Sequence, residues 1–557
     1  MIRFLASILL TVSTSIAAAA PARTVPNAQD VAAYGERLLA EAVPDANGPG
    51  MAVLIARGDQ ILYRGARGRA SIELGVALSP DQAFRIGSVT KQFAAAALLK
   101  LIDEGKAALD DPLSKYLPDF PNAKAITLHQ LLNHTSGVRS YTDISGYMNE
   151  GVRIDRDTKS LIAVFKDEKP DFAPGEKWKY NNSGYVLVGA VIEAISGKPW
   201  HVYLDEAILQ PLGLRHTRYG DDKAIIPGFV EGYSIGPKGE FARAGYLSMT
   251  QPHAAGALVS TLDDLWHWNL ALHGGKVLGK QTYKRMTTPE GPAAKPLGNY
   301  GYGIQRGILR DERAFVHSGG INGFVSNLIY LPDSGLTAVS LRNADGPAPP
   351  PVDRRVLAFA LGKPYPEPVP VAVAEAELKA LEGIYRLDAD TMRVLRVVDG
   401  ALTSQRSGGP IFTLIPIGGD RFAFPNSLSR IEIERNRAGK VTGLRFYPDG
   451  DTVETWKLTD EKPQVRSAIP LPREAQDALV GEYVAAELAF KVFVDEGGIL
   501  RAQVPGQPAF ELKAESPRKL FIEEVGALIE FEPAEGQAQR ATLNQGPAKI
   551  ALTRKQP

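Results

Sequence analysis

The pattern of apolar and polar positions divides the chain into a mixed helix-and-strand region and a strand-rich region. In residues 51–65, MAVLIARGDQILYRG, two apolar runs flank Gly58-Asp59, which predicts two strands joined by a tight turn. Residues 91–105, KQFAAAALLKLIDEG, are apolar on most faces and end in Gly105, which predicts a helix inside a domain. VLVGAVIEAISG predicts a second buried helix, stopped by Gly197. SNLIYLP and LTAVSLRN predict late strands, and PVDRRVLAFALG a closing helix. These elements place one domain over residues 27–363.

Prolines 364, 366, 368 and 370 predict an extended, semi-rigid linker over residues 364–377. Beyond it the chain repeats itself. Leu381, Gly383 and Tyr385 recur as Leu479, Gly481 and Tyr483, and Leu402, Leu414 and Ile431 recur as Leu500, Leu512 and Ile529. Every pair is 98 residues apart, and a constant offset marks a duplicated unit. Alternating stretches such as RVLRVV, IEIE and GLRFY make each unit β-rich. Two small all-β barrels, residues 378–460 and 471–557, fit best, because closure removes unpaired edges.

Composition changes the picture in three ways. Lys plus Arg equals Asp plus Glu at 63 each, so no basic excess favours a nucleic-acid partner. There are no cysteines, which removes disulfides, thiol catalysis and cysteine metal sites. The first 22 residues carry Arg3, a short apolar stretch and small residues, with cleavage expected after Ala19 or Ala22. A periplasmic or secreted protein without a stable membrane anchor is expected.

Three short motifs carry chemistry. Ser88-Val89-Thr90-Lys91 opens the buried helix, and residues three apart share a helix face, so hydroxyl and amine can meet. Desolvation lowers the lysine pKa and suits it as a base. A second match, Ser516 to Lys519, lies in the β-rich repeat with Pro517 and no helix after it. Tyr180-Asn181-Asn182 comes next. A phenol beside a cationic lysine loses its proton more easily, and Tyr180 is expected to shuttle it. The Asn182 amide can hold both the lysine and a substrate carbonyl. The rival Tyr147-Met148-Asn149 runs into a charged loop. His317-Ser318-Gly319-Gly320 lies between two strands; its glycines admit a substrate backbone, Gly320 and Ser88 amides could form an oxyanion hole, and His317 could reach a substrate carboxylate or the Tyr–Lys pair. Gly232-Tyr233-Ser234-Ile235-Gly236 matches a nucleophile elbow, but following glycines and Pro237 forbid the helix that motif needs. The eight histidines are scattered, so no metal and no cofactor are expected. Trp266 and Trp268 read as core.

The three motifs in this order, with FRIGSVTKQF, ITLHQLLNHTSGV, FAPGEKWKYNNSGYVLVGAVIEAISG and HSGGINGF, resemble the serine β-lactamase and penicillin-binding superfamily, in its class C, DD-peptidase and D-aminopeptidase branch. The resemblance implies an α/β (α+β) domain with an antiparallel sheet flanked by helices, an all-helical insert, and an acyl-enzyme mechanism. It implies Ser88 as nucleophile, Lys91 and Tyr180 as its catalytic partners, and Asn182, His317, Gly319 and Gly320 around the substrate. His317 stands where β-lactamases usually carry lysine, and a neutral histidine binds an anion less well. Two barrels after the catalytic domain are similar to the D-aminopeptidase layout, in which a loop of the last barrel reads the substrate amine. The expected substrate is a small D-amino-acid-containing peptide or amide. A promiscuous esterase or weak β-lactamase, and a non-catalytic wall-binding protein, are the alternatives.

Overall fold

The structure, a computed structural model, describes residues 25–236, 239–295, 298–389, 391–461, 468–485, 488–504, 509–545 and 548–555. The predicted export signal lies outside the described residues.

The first domain is built on six antiparallel strands: β1 Met51–Arg57, β2 Gln60–Arg67, β3 Gln305–Leu309, β4 Glu312–Ile321, β5 Phe324–Leu331 and β6 Leu336–Arg342. Their order across the sheet is β3-β4-β5-β6-β1-β2. The sheet thus joins the two ends of the domain, with Met51 opposite Arg342. β1 is buried along almost its whole length because helices cover both faces. Ala52, Leu54 and Ala56 face α2 Thr90–Asp103, α3 Asn182–Ser196, α4 His253–Gly256 and α5 Leu262–His273. Met51, Val53 and Ile55 face α1 Ala28–Ala42 and α6 Val352–Ala360. This alternation is the period of two that a strand imposes.

α2 and α3 are the predicted buried helices, and their ends follow the residues expected: Gly105 has φ +73°, and Gly197 caps α3 at φ +68°. Trp268 of α5 is fully buried, stacked on Phe93 with ring centroids 4.1 Å apart. The insert between α2 and α4 is not all-helical: Arg218–Tyr219, Tyr233–Ile235 and Phe241–Arg243 are strands in two small sheets. Ser234 of the elbow-like motif lies in one of them, with no helix after it.

Residues 363–374 carry no regular element, yet the linker is pinned. Tyr365 is buried and donates its hydroxyl to Asp451 of the first barrel, while Arg310 lies over the Tyr365 ring at 4.8 Å. Glu367 accepts hydrogen bonds from Arg37 and Arg355.

Each repeat forms a nine-stranded antiparallel sheet. The two outermost strands are consecutive in the chain, Ile411–Thr413 with Ile415–Pro416 and Phe510–Glu511 with Lys513–Ser516. Leu414 and Leu512, a repeated pair, turn that corner and pack inside, so each sheet curls into a nearly closed barrel. The repeat also preserves a local bond: Tyr385 donates to the Leu381 carbonyl and Tyr483 to the Leu479 carbonyl, both at 2.8 Å.

Candidate active site

Ser88 sits in a single 3-10 turn, Gly87–Val89, immediately before α2. It therefore precedes the α-helix instead of lying within its first turn. Lys91 follows one turn later and is fully buried. Its Nζ lies 3.0 Å from Ser88 Oγ, 2.8 Å from Asn182 Oδ1 and 2.8 Å from the Ala255 carbonyl of α4. Among the described residues no carboxylate pairs with it, and burial holds its pKa well below the ordinary 10.5. A neutral amine has two N–H groups and one lone pair. Two carbonyl-type acceptors take the N–H groups, which leaves the lone pair for the Ser88 hydroxyl.

Tyr180 lies just before α3 and Asn182 is its first residue. Asn181 between them is the helix N-cap, accepting from the Gly184 amide at 2.7 Å. Asn182 donates its Nδ2 to Thr142 Oγ1 at 3.2 Å, which turns its carbonyl oxygen toward Lys91. The Tyr180 ring lies 4.7 Å from Lys91 Nζ and its hydroxyl bonds to Ser88. Its pKa moves opposite to the expected direction: burial raises it well above 10, and the bond to Ser88 only partly opposes this. Tyr180 thus rests as a protonated phenol, while burial favours the free-base form of Lys91.

His317 projects from β4 toward this cluster, but both ring nitrogens are occupied. Nδ1 lies 2.7 Å from the Ser318 carbonyl and Nε2 lies 2.7 Å from Tyr300 Oη. The carbonyl can only accept, so Nδ1 carries the hydrogen and Nε2 accepts from Tyr300. Burial, then the nearby Lys91, push its pKa down to about 3. It is a neutral, internally bonded group, not a free cation.

The glycines have separate reasons. A Cβ on Gly319 would lie 2.0 Å from the Ile86 carbonyl, so Gly319 admits the chain's own backbone. A Cβ on Gly320 meets nothing within 4 Å, so the strand is open to a substrate there. Gly87 has φ +47°, and its Cβ would lie 3.0 Å from Gly320 N. That close approach brings the Ser88 turn beside Gly320.

Several residues of the site carry no motif of their own. His134, 1% exposed and at φ +64°, lies under the Tyr180 ring with centroids 4.4 Å apart. Its Nδ1 accepts from the Asn181 amide at 3.1 Å and its carbonyl from the Lys179 amide at 3.1 Å. It therefore clamps the chain on both sides of Tyr180. Tyr300, also buried, stands 4.6 Å from the His134 ring and bonds His317. The only sequence signal for His134 is its place in the quoted stretch ITLHQLLNHTSGV; Tyr300 has none. The rival motifs stay outside: Tyr147 bonds Gln251, and Ser516 pairs with Lys519 across a barrel hairpin.

Ser88, Tyr180 and Asn182 are half-exposed while Lys91, His134 and His317 are buried, so a nucleophile at the surface rests on a dry, aromatic floor. Fold and site together define the class of penicillin-recognising serine hydrolases. The Beta-lactamase family profile matches residues 35–363, and the chain belongs to that family. It is 27% identical over 321 residues to a D-aminopeptidase of Gluconobacter oxydans, covering 57% of this chain and 60% of that one. It is 27% identical over 470 residues to a D-aminopeptidase of Brucella anthropi, covering 81% and 82%, so the likeness extends into the barrels. A D-stereospecific amidohydrolase from Streptomyces sp. is 32% identical with TM-score 0.50, covering 56% of this chain and 94% of that one. The chain spans 59–61% of the length of several curated relatives that it matches.

Proposed function

We propose that the protein is an exported amidase or aminopeptidase that releases D-amino acids from short peptides or amides through an acyl-enzyme on Ser88. The observation that carries the mechanism is the bonding of Lys91: a buried amine held by two carbonyl oxygens and lying 3.0 Å from Ser88 Oγ. Lys91 takes the Ser88 proton as Oγ attacks the substrate carbonyl carbon. The amides of Ser88 and Gly320 receive the oxyanion. Tyr180 gives its proton to the departing nitrogen as the C–N bond breaks, and the Lys91 ammonium restores it. Water then attacks the Ser88 ester with the same groups in reverse.

The substrate class rests on two supports. Relatives covering much or all of the catalytic domain carry the names D-aminopeptidase and D-stereospecific amidohydrolase. His317, neutral and capped by Tyr300, offers no cation to a substrate carboxylate, which favours an amide over a C-terminal carboxylate or a β-lactam. Export rests on the N-terminal sequence alone.

The test is a substrate panel with the purified mature chain. D-alanine para-nitroanilide is expected to be cleaved at least tenfold faster than its L-enantiomer and than nitrocefin. Fast cleavage of short-chain acyl esters with no turnover of any D-aminoacyl amide would replace this reading by an esterase.

A further inference from the structure

Behind the catalytic lysine, on the far side of α4, lies a second hollow of about 470 Å³. Its walls include Arg156, Glu193, Trp200, His201, Tyr219 and His253, none of which takes part in the chemistry above. Arg156 is half-buried; its Nε is fully buried without a hydrogen-bond partner, and among the described residues its guanidinium has no ion pair. Glu193 is half-buried on α3, with one oxygen accepting from the Trp200 amide at 3.2 Å. The one imidazole near it, His253 Nε2 at 3.8 Å, belongs to a buried ring that also meets Thr158 Oγ1 at 3.1 Å. Burial holds that ring neutral at physiological pH, so Glu193 also lacks a cationic partner. His201 and Tyr219 stack at 4.5 Å and form an aromatic wall that continues into a neighbouring hollow.

In this open hollow Lys198 pairs with Glu206 and Asp157 caps its own helix, which leaves one cation, Arg156, and one carboxylate, Glu193, without a counter-ion. Leaving both partly desolvated and unpaired costs stability, and one molecule bearing both opposite charges satisfies both. We propose that this hollow is a second binding site for a small zwitterion, a free amino acid, with its carboxylate on Arg156, its ammonium at Glu193 and its side chain along His201 and Tyr219. The hollow has a direct structural path to the active site. His253, held at φ +46° against Gly189 of α3, begins α4, and two residues later the Ala255 carbonyl accepts from Lys91 Nζ at 2.8 Å. Occupancy therefore acts on the element that orients the catalytic base. That the ligand is also the reaction product rests on the proposed function; the binding itself does not.

The test uses the full mature chain with Ser88 blocked by a fluorophosphonate, titrated calorimetrically with D-alanine, L-alanine, propionate and ethylamine. Alanine is expected to bind, propionate and ethylamine about tenfold more weakly or not at all, and Arg156→Gln and Glu193→Gln each to weaken alanine about tenfold, or about 1.4 kcal/mol. On unblocked enzyme, saturating alanine is expected to change kcat at least twofold in wild type and not in Arg156→Gln, whose activity without alanine is unchanged. Alanine binding that is absent from the blocked protein, equal to that of propionate, or untouched by Arg156→Gln would overturn the site. Melting temperatures of both variants identify a folding defect, and Arg156→Gln, at the rim, carries the decision if Glu193→Gln is unstable. Failure of D-aminoacyl amide turnover would refute the proposed function while leaving this binding result standing.

Discussion

At the scale of single residues the site is organised around one buried amine. Lys91 must be neutral to accept the Ser88 proton, and burial lowers its pKa. Amide turnover at limiting substrate is therefore expected to rise with pH through an apparent pKa well below 10.5, with the acid limb belonging to Lys91. A pH–kcat/KM profile checks this, and Lys91→Ala is expected to lower kcat by about 10²–10⁴-fold. His134 is expected to act on the position of Tyr180. His134→Phe keeps the stacking volume but loses the acceptor for the Asn181 amide, and kcat should fall about tenfold or more with KM little changed. His134→Asn keeps a short side-chain acceptor and tolerates positive φ, and should recover most of that loss in the same assay. Ser88, Lys91, Tyr180 and Asn182 were legible in the sequence because each pair lies a few residues apart at the start of a buried helix. His134 and Tyr300 were not, because their roles arise from contacts to Asn181 and His317 that only the folded chain creates. The direction of the Tyr180 shift was missed for a related reason: burial of the phenol outweighs its hydrogen bond to Ser88.

At the scale of elements, the placement of the nucleophile depends on a crossing of two glycines. Gly87 turns the chain at φ +47° where a side chain would meet the Gly320 amide. Gly87→Ala is expected to lose about 1–2 kcal/mol for the left-handed backbone alone. The added methyl also presses the Ser88 turn away from β4, so kcat should fall more than tenfold; thermal melting and single-turnover acylation measure the two effects separately. The pattern of apolar residues located α2, α3, β1, β2 and the strands around HSGG well, since each lies in a continuous buried layer. It gave no sign of the two- and three-residue strands in the insert that the resemblance implied to be all-helical, because they are too short for any periodicity to register.

At the scale of the whole molecule, the duplicated tail was readable because the positions that repeat are the ones that close each barrel: Leu414 and Leu512 at the corner, Tyr385 and Tyr483 inside. Some core positions break the repeat. Arg393, paired with Tyr385, is buried against Phe446 at 4.1 Å, where the second barrel pairs Phe490 with Tyr483. The catalytic domain carries its own sensitivity to acid. Burial holds His253, His273 and His317 at about 3, and lowers His134 as well. Between about pH 3 and 6.5 the unfolded chain binds protons that the native histidines refuse, so stability falls as pH drops through that window. Melting temperature is expected to be lower at pH 4.5 than at pH 7, and replacing His273 by Phe should reduce that difference. The account as a whole turns on covalent chemistry at one hydroxyl. Intact-mass spectrometry of an acid-quenched reaction with a slowly deacylated D-aminoacyl ester measures it directly. The predicted result is a single acyl adduct on the peptide containing Ser88, absent from Ser88→Ala along with all turnover; continued turnover by Ser88→Ala would contradict it.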